Sequence, residues 1–193
     1  MALAKLHCSS NEAGFSLAET LVATALLATA IASSAQMFAL ATRSNLAAQR
    51  TSFATTLAEE KMEQLRGLAW GYDEIGLPIN DYESNTAVDP AEDTGGTGLS
   101  QSPGGALSAN IDGYVDYLNR YGESLGGGAD VPDGAVYVRR WSVEPLPTNP
   151  NNTLILQVLV FNVGDRVNDG DGAVLDRVRD EARLVSVKTR KSR

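Results

Sequence analysis

Residues 20–42 form an uninterrupted run of 23 residues that carry no formal charge. A helix needs about 20 such residues to cross the hydrocarbon core of a bilayer, so the run is long enough for a single span. Glu19 stands directly before the run, and an acidic side chain at the edge of a span is costly unless it meets a partner. The run therefore predicts a membrane helix that begins with one acidic residue of functional importance.

The composition of this run is unusual for a lone anchor. Eight of its 23 residues are alanine, and five polar residues interrupt it: Thr24, Thr29, Ser33, Ser34 and Gln36. Small side chains allow helices to approach closely in an apolar medium, which favours a helix that packs in a bundle. A plain single-span anchor is the alternative interpretation.

The predicted helix extends beyond the apolar run. No proline or glycine occurs between residues 15 and 66, and Gly67 and Gly71 are plausible stop signals. Apolar residues recur at helical spacing along the second part: Leu46, Phe53, Leu57, Leu65 and Leu68. The pattern predicts one helix of about 50 residues, or about 80 Å, whose second part has a single apolar face. A coiled coil is the alternative for that part.

The junction Gly14-Phe15-Ser16-Leu17-Ala18-Glu19, followed by the uncharged run, resembles the N-terminal signal of type IV prepilins and pseudopilins. The resemblance implies that the chain is cut between Gly14 and Phe15 and that the amine of Phe15 is methylated. It also implies that Glu19 guides subunits into a helical filament. The leader would then lie in the cytoplasm, and the bulk of the chain would lie outside the bacterial inner membrane, in the periplasm.

Two further features narrow the resemblance. Residues 57–66 are similar to the corresponding helix of V-type minor pilins and I-type minor pseudopilins. Subunits that build the filament shaft usually carry a proline where this chain has Gln36. The resemblance thus implies a minor pilin that primes or joins a filament, near its tip. The alternatives are an I-type minor pseudopilin of type II secretion and a membrane-anchored binding module that never assembles.

A physical hypothesis explains how Glu19 could act. Cutting after Gly14 creates an amino terminus four residues before the carboxylate, about one helical turn away. Between axially staggered neighbours, the carboxylate of one subunit can meet the amine of the next, and pairing offsets the burial of both charges. We therefore predict that Glu19 sets the register of assembly.

The charge and residue content exclude several function classes. The net charge of −8 argues against general binding to nucleic acid. The one histidine, His7, and the one cysteine, Cys8, both precede Gly14, so a chain cut there has neither. That excludes an internal disulfide, a Cys or His nucleophile and the usual zinc sites. We expect a structural protein without enzymatic activity or cofactor. Its expected partners are a prepilin peptidase, other major and minor pilins, and the inner-membrane assembly platform.

The rest of the chain predicts a small sheet. Strands are predicted from Val136 to Trp141, from Leu154 to Phe161 and from Ala182 to Lys188, where apolar residues alternate. A short helix or turn is predicted at residues 111–121. Asp169 and Asp171, in a glycine-rich turn, are candidates for a cation site, although their segment lacks the spacing and the terminal glutamate of an EF-hand.

These observations predict an α+β, pilin-like fold in which a long N-terminal helix packs against an antiparallel sheet of three or four strands. The predicted organisation is a leader (1–14), an apolar helix half (15–42), an amphipathic helix half (43–70), an acidic glycine-rich connecting region (71–135) and the sheet (136–193).

Overall fold

The computed structural model describes Gly14, residues 16–164 and residues 181–190. The chain divides into two compact units, Met1–Leu46 and Ala47–Arg193. The helix α1 (Leu17–Gly67) belongs to both units. Within the described residues, seven strands follow in the second unit: β1 (Trp70–Tyr72), β2 (Pro78–Asn80), β3 (Val115–Leu118), β4 (Ser124–Gly127), β5 (Tyr137–Pro145), β6 (Thr153–Asn162) and β7 (Ala182–Thr189).

The single long helix predicted from the absence of helix breakers is confirmed. In the second unit one face of α1 is buried, and the residues on it are Ala54, Leu57, Ala58, Lys61, Met62 and Leu65. Phe53 packs against this core, whereas Leu46 is 51% exposed. The helix ends at Gly67, and the ammonium of Lys188 donates a hydrogen bond to the carbonyl of Arg66. That bond satisfies one of the carbonyls left without an intrahelical partner at a helix end.

Five strands form one antiparallel sheet in the order β4-β3-β5-β6-β7, and β1 and β2 form a separate two-stranded sheet. The three strands predicted in the C-terminal part of the chain are β5, β6 and β7. The α+β prediction is therefore confirmed, but the main sheet has five strands rather than three or four. The two additional strands of the main sheet, β3 and β4, come from the acidic glycine-rich region.

The helix or turn predicted at residues 111–121 is wrong at its centre, because β3 occupies Val115–Leu118, with turns on both sides of it. The helical spacing of Tyr114, Tyr117 and Tyr121 suggested one apolar face. In the structure Tyr117 and Leu118 are both buried, on opposite faces of a strand that lies between β4 and β5. A strand covered on both faces shows no alternation of polar and apolar residues, which hid it in the sequence.

The two faces of the main sheet have separate apolar clusters. On one face, Trp141, Val143, Leu156 and Val158 belong to the cluster that includes the buried residues of α1. The other face carries a smaller cluster: Val115, Tyr117, Val138, Leu159 and Phe161. The second cluster is packed by residues of the connecting segments, including Leu107 and Ala135. The sheet is thus a middle layer, and α1 covers one side of it.

Candidate functional site

The helix start lies next to the predicted cleavage junction. The backbone carbonyl of Ser16 accepts hydrogen bonds from the amides of Glu19 (3.0 Å) and Thr20 (3.2 Å). The Ser16 hydroxyl oxygen accepts a second bond from the Glu19 amide, at 3.2 Å. Ser16 is therefore the N-cap of α1, and Leu17 is the first helical residue.

This capping arrangement gives Glu19 a local role that the sequence reasoning missed. Glu19 is exposed in the first turn of α1, where a carboxylate interacts favourably with the helix dipole. The signal in the sequence is Ser16 followed three residues later by Glu19, the pattern of a capping box. The assembly role predicted for Glu19 involves a second subunit, and it stays a prediction.

Gly14 precedes the helix and is not required by packing. A Cβ atom built on Gly14 has no heavy atom within 4 Å, and the residue does not adopt a positive backbone φ angle. Among the residues that the structure describes, packing therefore supplies no reason for a glycine at this position. Phe15, the predicted site of N-methylation, lies outside the described residues, as do residues 1–13.

The hydroxyl groups in the apolar part of α1 are bonded within the helix. All six Ser and Thr residues between Leu17 and Thr42 donate to a carbonyl three or four residues earlier: Thr20, Thr24, Thr29, Ser33, Ser34 and Thr42. The donor–acceptor distances lie between 2.8 and 2.9 Å. Because each hydroxyl has an internal acceptor, this segment can enter an apolar medium without an unpaired hydroxyl donor.

The apolar side chains of the same segment face outward. Leu21, Leu26 and Ile31 are 61–66% exposed, and Phe38 is 75% exposed. The helix is long and apolar enough to cross a membrane, and it lies near the N-terminus. These properties are compatible with a single membrane anchor.

A buried charge cluster joins α1 to the sheet. It consists of Lys61 on α1, Asp116 on β3 and Arg139 on β5, each no more than 5% exposed. The Lys61 ammonium lies 3.0 Å from Asp116 Oδ2, and the Arg139 guanidinium donates to both carboxylate oxygens, with its shortest contacts at 2.9 Å. Arg139 also donates to the Leu57 carbonyl of α1, at 3.1 Å.

The buried charge cluster holds two cations and one buried anion. The Lys61 ammonium lies 3.7 Å from the centroid of the Trp141 ring and donates to the Thr86 carbonyl, and both contacts offset part of its lost hydration. Glu60, which is 58% exposed, lies 3.9 Å from Arg139 at the edge of the cluster. The pKa of Lys61 is lowered from 10.5 to about 8, chiefly by burial; the Asp116 carboxylate opposes this shift, and the Arg139 guanidinium adds to it.

Sequence reasoning did not find this cluster. Lys61 and Asp116 are 55 positions apart in the chain, and Asp116 and Arg139 are 23 apart. No short sequence motif therefore contains any two of them. The available signal was Arg139 and Arg140 side by side between Val138 and Trp141 in a predicted strand. Adjacent strand residues point to opposite faces, so two arginines in an apolar strand require buried acceptors on both sides of the sheet.

The predicted cation ligands, Asp169 and Asp171, lie outside the described residues. Among residues 14, 16–164 and 181–190, no group of three or more His, Cys, Asp or Glu side chains is arranged to hold a metal ion.

Comparisons with protein-family models, curated proteins and solved structures found no match to this chain.

Proposed function

We propose that this chain is a minor subunit of a type IV pilus system, similar to the V-type minor pilins. In this proposal its role is structural, and it contributes to the assembly of a filament rather than to catalysis. A prepilin peptidase removes residues 1–14, the amine of Phe15 is methylated, and the apolar half of α1 then passes from the inner membrane into the filament.

The observation that carries the proposal is the position of Glu19. It is the only charged residue between Leu17 and Thr42, and it lies in the first turn of a helix that continues without a break to Gly67. A carboxylate at the end of an apolar helix is costly to bury unless a cation meets it. The amine created by cutting after Gly14 is such a cation, and no described residue lies within 4 Å of a Cβ atom built on Gly14.

The first test is the intact mass of the membrane-bound chain after co-expression with a prepilin peptidase. We expect loss of residues 1–14 and the gain of one methyl group. Gly14→Val should remain uncut, and because no described residue lies within 4 Å of a Cβ atom at Gly14, its effect would report recognition rather than folding. An uncut chain, with the peptidase active on a control substrate, would leave an anchored module that does not assemble.

The second test concerns Glu19 in cells that assemble the filament. We expect Glu19→Ala to be processed normally but to enter sheared filaments on the order of tenfold less than the unaltered chain, because one buried charge pair is lost. Glu59→Ala is the matched control, since Glu59 is also an exposed glutamate of α1. Equal incorporation of the two variants would contradict the register role of Glu19.

A further inference from the structure

The hairpin formed by β1 and β2 has one covered face and one bare apolar face. On the covered face, Trp70 is 8% exposed, and the Arg190 guanidinium lies 4.3 Å from the centroid of its ring. Ile79 pairs with Gly71 in the hairpin and therefore lies on the face opposite Trp70. Around that face and the hairpin tip, Ile75, Leu77 and Ile79 are 76%, 58% and 47% exposed. We call these three residues the hairpin apolar surface.

The backbone beneath this surface is held by several hydrogen bonds. Oδ1 of Asp73 accepts from the amides of Ile75 (3.0 Å) and Leu77 (2.7 Å), and the Asp73 amide donates to the Leu77 carbonyl (2.8 Å). At the tip Gly76 has a φ of 87°, a conformation that glycine adopts without steric cost. The hydroxyl of Tyr72 donates to Asn152 and ties the hairpin to the segment before β6. A surface held in this way loses little conformational entropy on binding.

The segment that forms the hairpin and follows it is acidic, whereas the basic side chain of Arg190 lies on the covered face, against Trp70. Residues 71–98 contain seven Asp and Glu residues and no Lys, Arg or His. Glu74 lies in the hairpin turn and Glu83 follows three residues after β2, and both are exposed, whereas Asp73 and Asp81 are occupied by hydrogen bonds within their own turns. An apolar surface with an acidic rim fits a partner whose apolar centre is flanked by Lys or Arg. A second copy of this chain, with its net charge of −8, is a poor electrostatic match.

We propose that the hairpin apolar surface is a docking site for a different protein subunit, and that Glu74 and Glu83 pair with basic side chains around an apolar patch on that partner. The fold gains nothing from three exposed aliphatic side chains on a preordered hairpin, whereas an interface does. This inference rests on the proposed function, because the partner is another subunit of the same assembly.

The test is site-specific photo-crosslinking of the full chain in cells that assemble the filament. p-Benzoyl-phenylalanine is introduced at Ile75 and, in a second variant, at Leu77. The matched control position is Tyr121, which is 75% exposed in the turn between β3 and β4 and lies outside the hairpin. We expect one crosslinked partner from Ile75 and Leu77 and none from Tyr121. We also expect the attachment point, mapped by mass spectrometry, to be an apolar residue with Lys or Arg neighbours.

Charge reversal then tests the acidic rim. We expect Glu74→Lys combined with Glu83→Lys to reduce the crosslink from Ile75 on the order of tenfold, and reversal of the partner's basic residues to restore it. The proposal is overturned by equal crosslinking from Tyr121, by a crosslink to the same chain or to a second copy, or by an attachment point among acidic residues. No crosslink from either hairpin position also overturns it.

The intact mass of the chain in the same cells separates this inference from the proposed function. A processed, methylated chain without a hairpin crosslink would overturn the docking site and leave the pilin proposal intact. An unprocessed chain would overturn the pilin proposal and, with it, the assignment of the partner to that assembly.

Discussion

The two halves of α1 deal with polar groups in opposite ways. Between Leu17 and Thr42 the helix carries one charge, and its hydroxyl groups bond to its own backbone. After Ala47 the helix buries the ammonium of Lys61 and satisfies it with groups from elsewhere in the chain, above all Asp116. The first half can therefore change its surroundings without breaking a hydrogen bond, whereas the second half is tied to one place on the sheet.

This difference is consistent with the proposed function, in which the subunit moves between a membrane and a filament. A helix half whose hydrogen bonds are internal needs only an apolar environment, and either a bilayer or a bundle of similar helices provides one. The other half must keep its orientation on the sheet, and the buried charge cluster provides a specific contact that an apolar interface alone would not.

The largest effect is expected when the buried charge cluster loses its anion. Asp116→Asn leaves Lys61 and Arg139 buried without that counter-charge, so we expect the free energy of unfolding of the second unit to fall by about 3–5 kcal/mol. The measurement is denaturant unfolding of the full chain in detergent micelles, followed by tryptophan fluorescence, since both tryptophans lie in this unit. Glu63→Gln, which breaks an exposed ion pair with Arg66, is the control and should cost less than about 1 kcal/mol.

A charge placed in the apolar half should weaken membrane anchoring. Ala30→Asp puts a carboxylate near the middle of the uncharged run, at a cost to insertion of about 3 kcal/mol. The readout is the fraction of chain that remains in membranes after alkaline carbonate extraction. Ala48→Asp, beyond the uncharged run, is the control and should remain bound. If both variants stay in the membrane equally, residues 20–42 are not the anchor.

The pKa of Lys61 predicts a pH dependence of stability in the second unit. In the folded chain the pKa of Lys61 is lowered to about 8, chiefly by burial. In the unfolded chain the Lys61 ammonium keeps its proton up to about pH 10.5. Between these values the unfolded state binds more protons, so stability rises with pH, by about 2 kcal/mol from pH 8 to 9.5. Below pH 8 both states are protonated, and this contribution is constant.

Denaturant unfolding at pH 7, 8, 9 and 9.5 measures the effect, and Lys61→Met should remove most of the increase. The upper limit of the series keeps Tyr114 and Tyr117 protonated, since burial raises the pKa of both. Burial also lowers the pKa of Lys188, so this residue contributes to the same rise in stability with pH. Lys188→Met is therefore the second control. A rise in stability that persists unchanged in Lys61→Met would contradict the assignment to Lys61.

The smallest effects are expected from single hydroxyl groups, and they should differ between the two regions. The Ser102 hydroxyl is buried and both donates to and accepts from the backbone of Val143. Ser102→Ala should therefore lower the free energy of unfolding by about 1–2 kcal/mol, because the buried amide of Val143 loses its acceptor. Thr29→Val removes a hydroxyl bonded only to its own helix, and membrane retention should not change. If Ser102→Ala and the unaltered chain have the same free energy of unfolding, the expected difference between the two regions is contradicted.

Much of the fold was predictable because its signals are local. The bounds of α1 follow from the absence of proline and glycine, and β5, β6 and β7 follow from alternation next to turn residues. β3 was missed because it is covered on both faces and shows no alternation. At the candidate site, Glu19 could be singled out because it stands alone before an uncharged run, while its place in a first turn capped by Ser16 was overlooked.

By itself, the sequence determined the extent of the long helix, the length of the apolar segment and the position of its one charge. These properties depend on neighbouring residues, so they can be derived from composition and spacing. Only the tertiary structure decided that Lys61, Asp116 and Arg139 share one buried cluster and that the apolar residues of the β1–β2 hairpin are exposed. Those properties depend on which distant segments pack together, and the free energy of that packing cannot be inferred from the residues that are neighbours in the sequence.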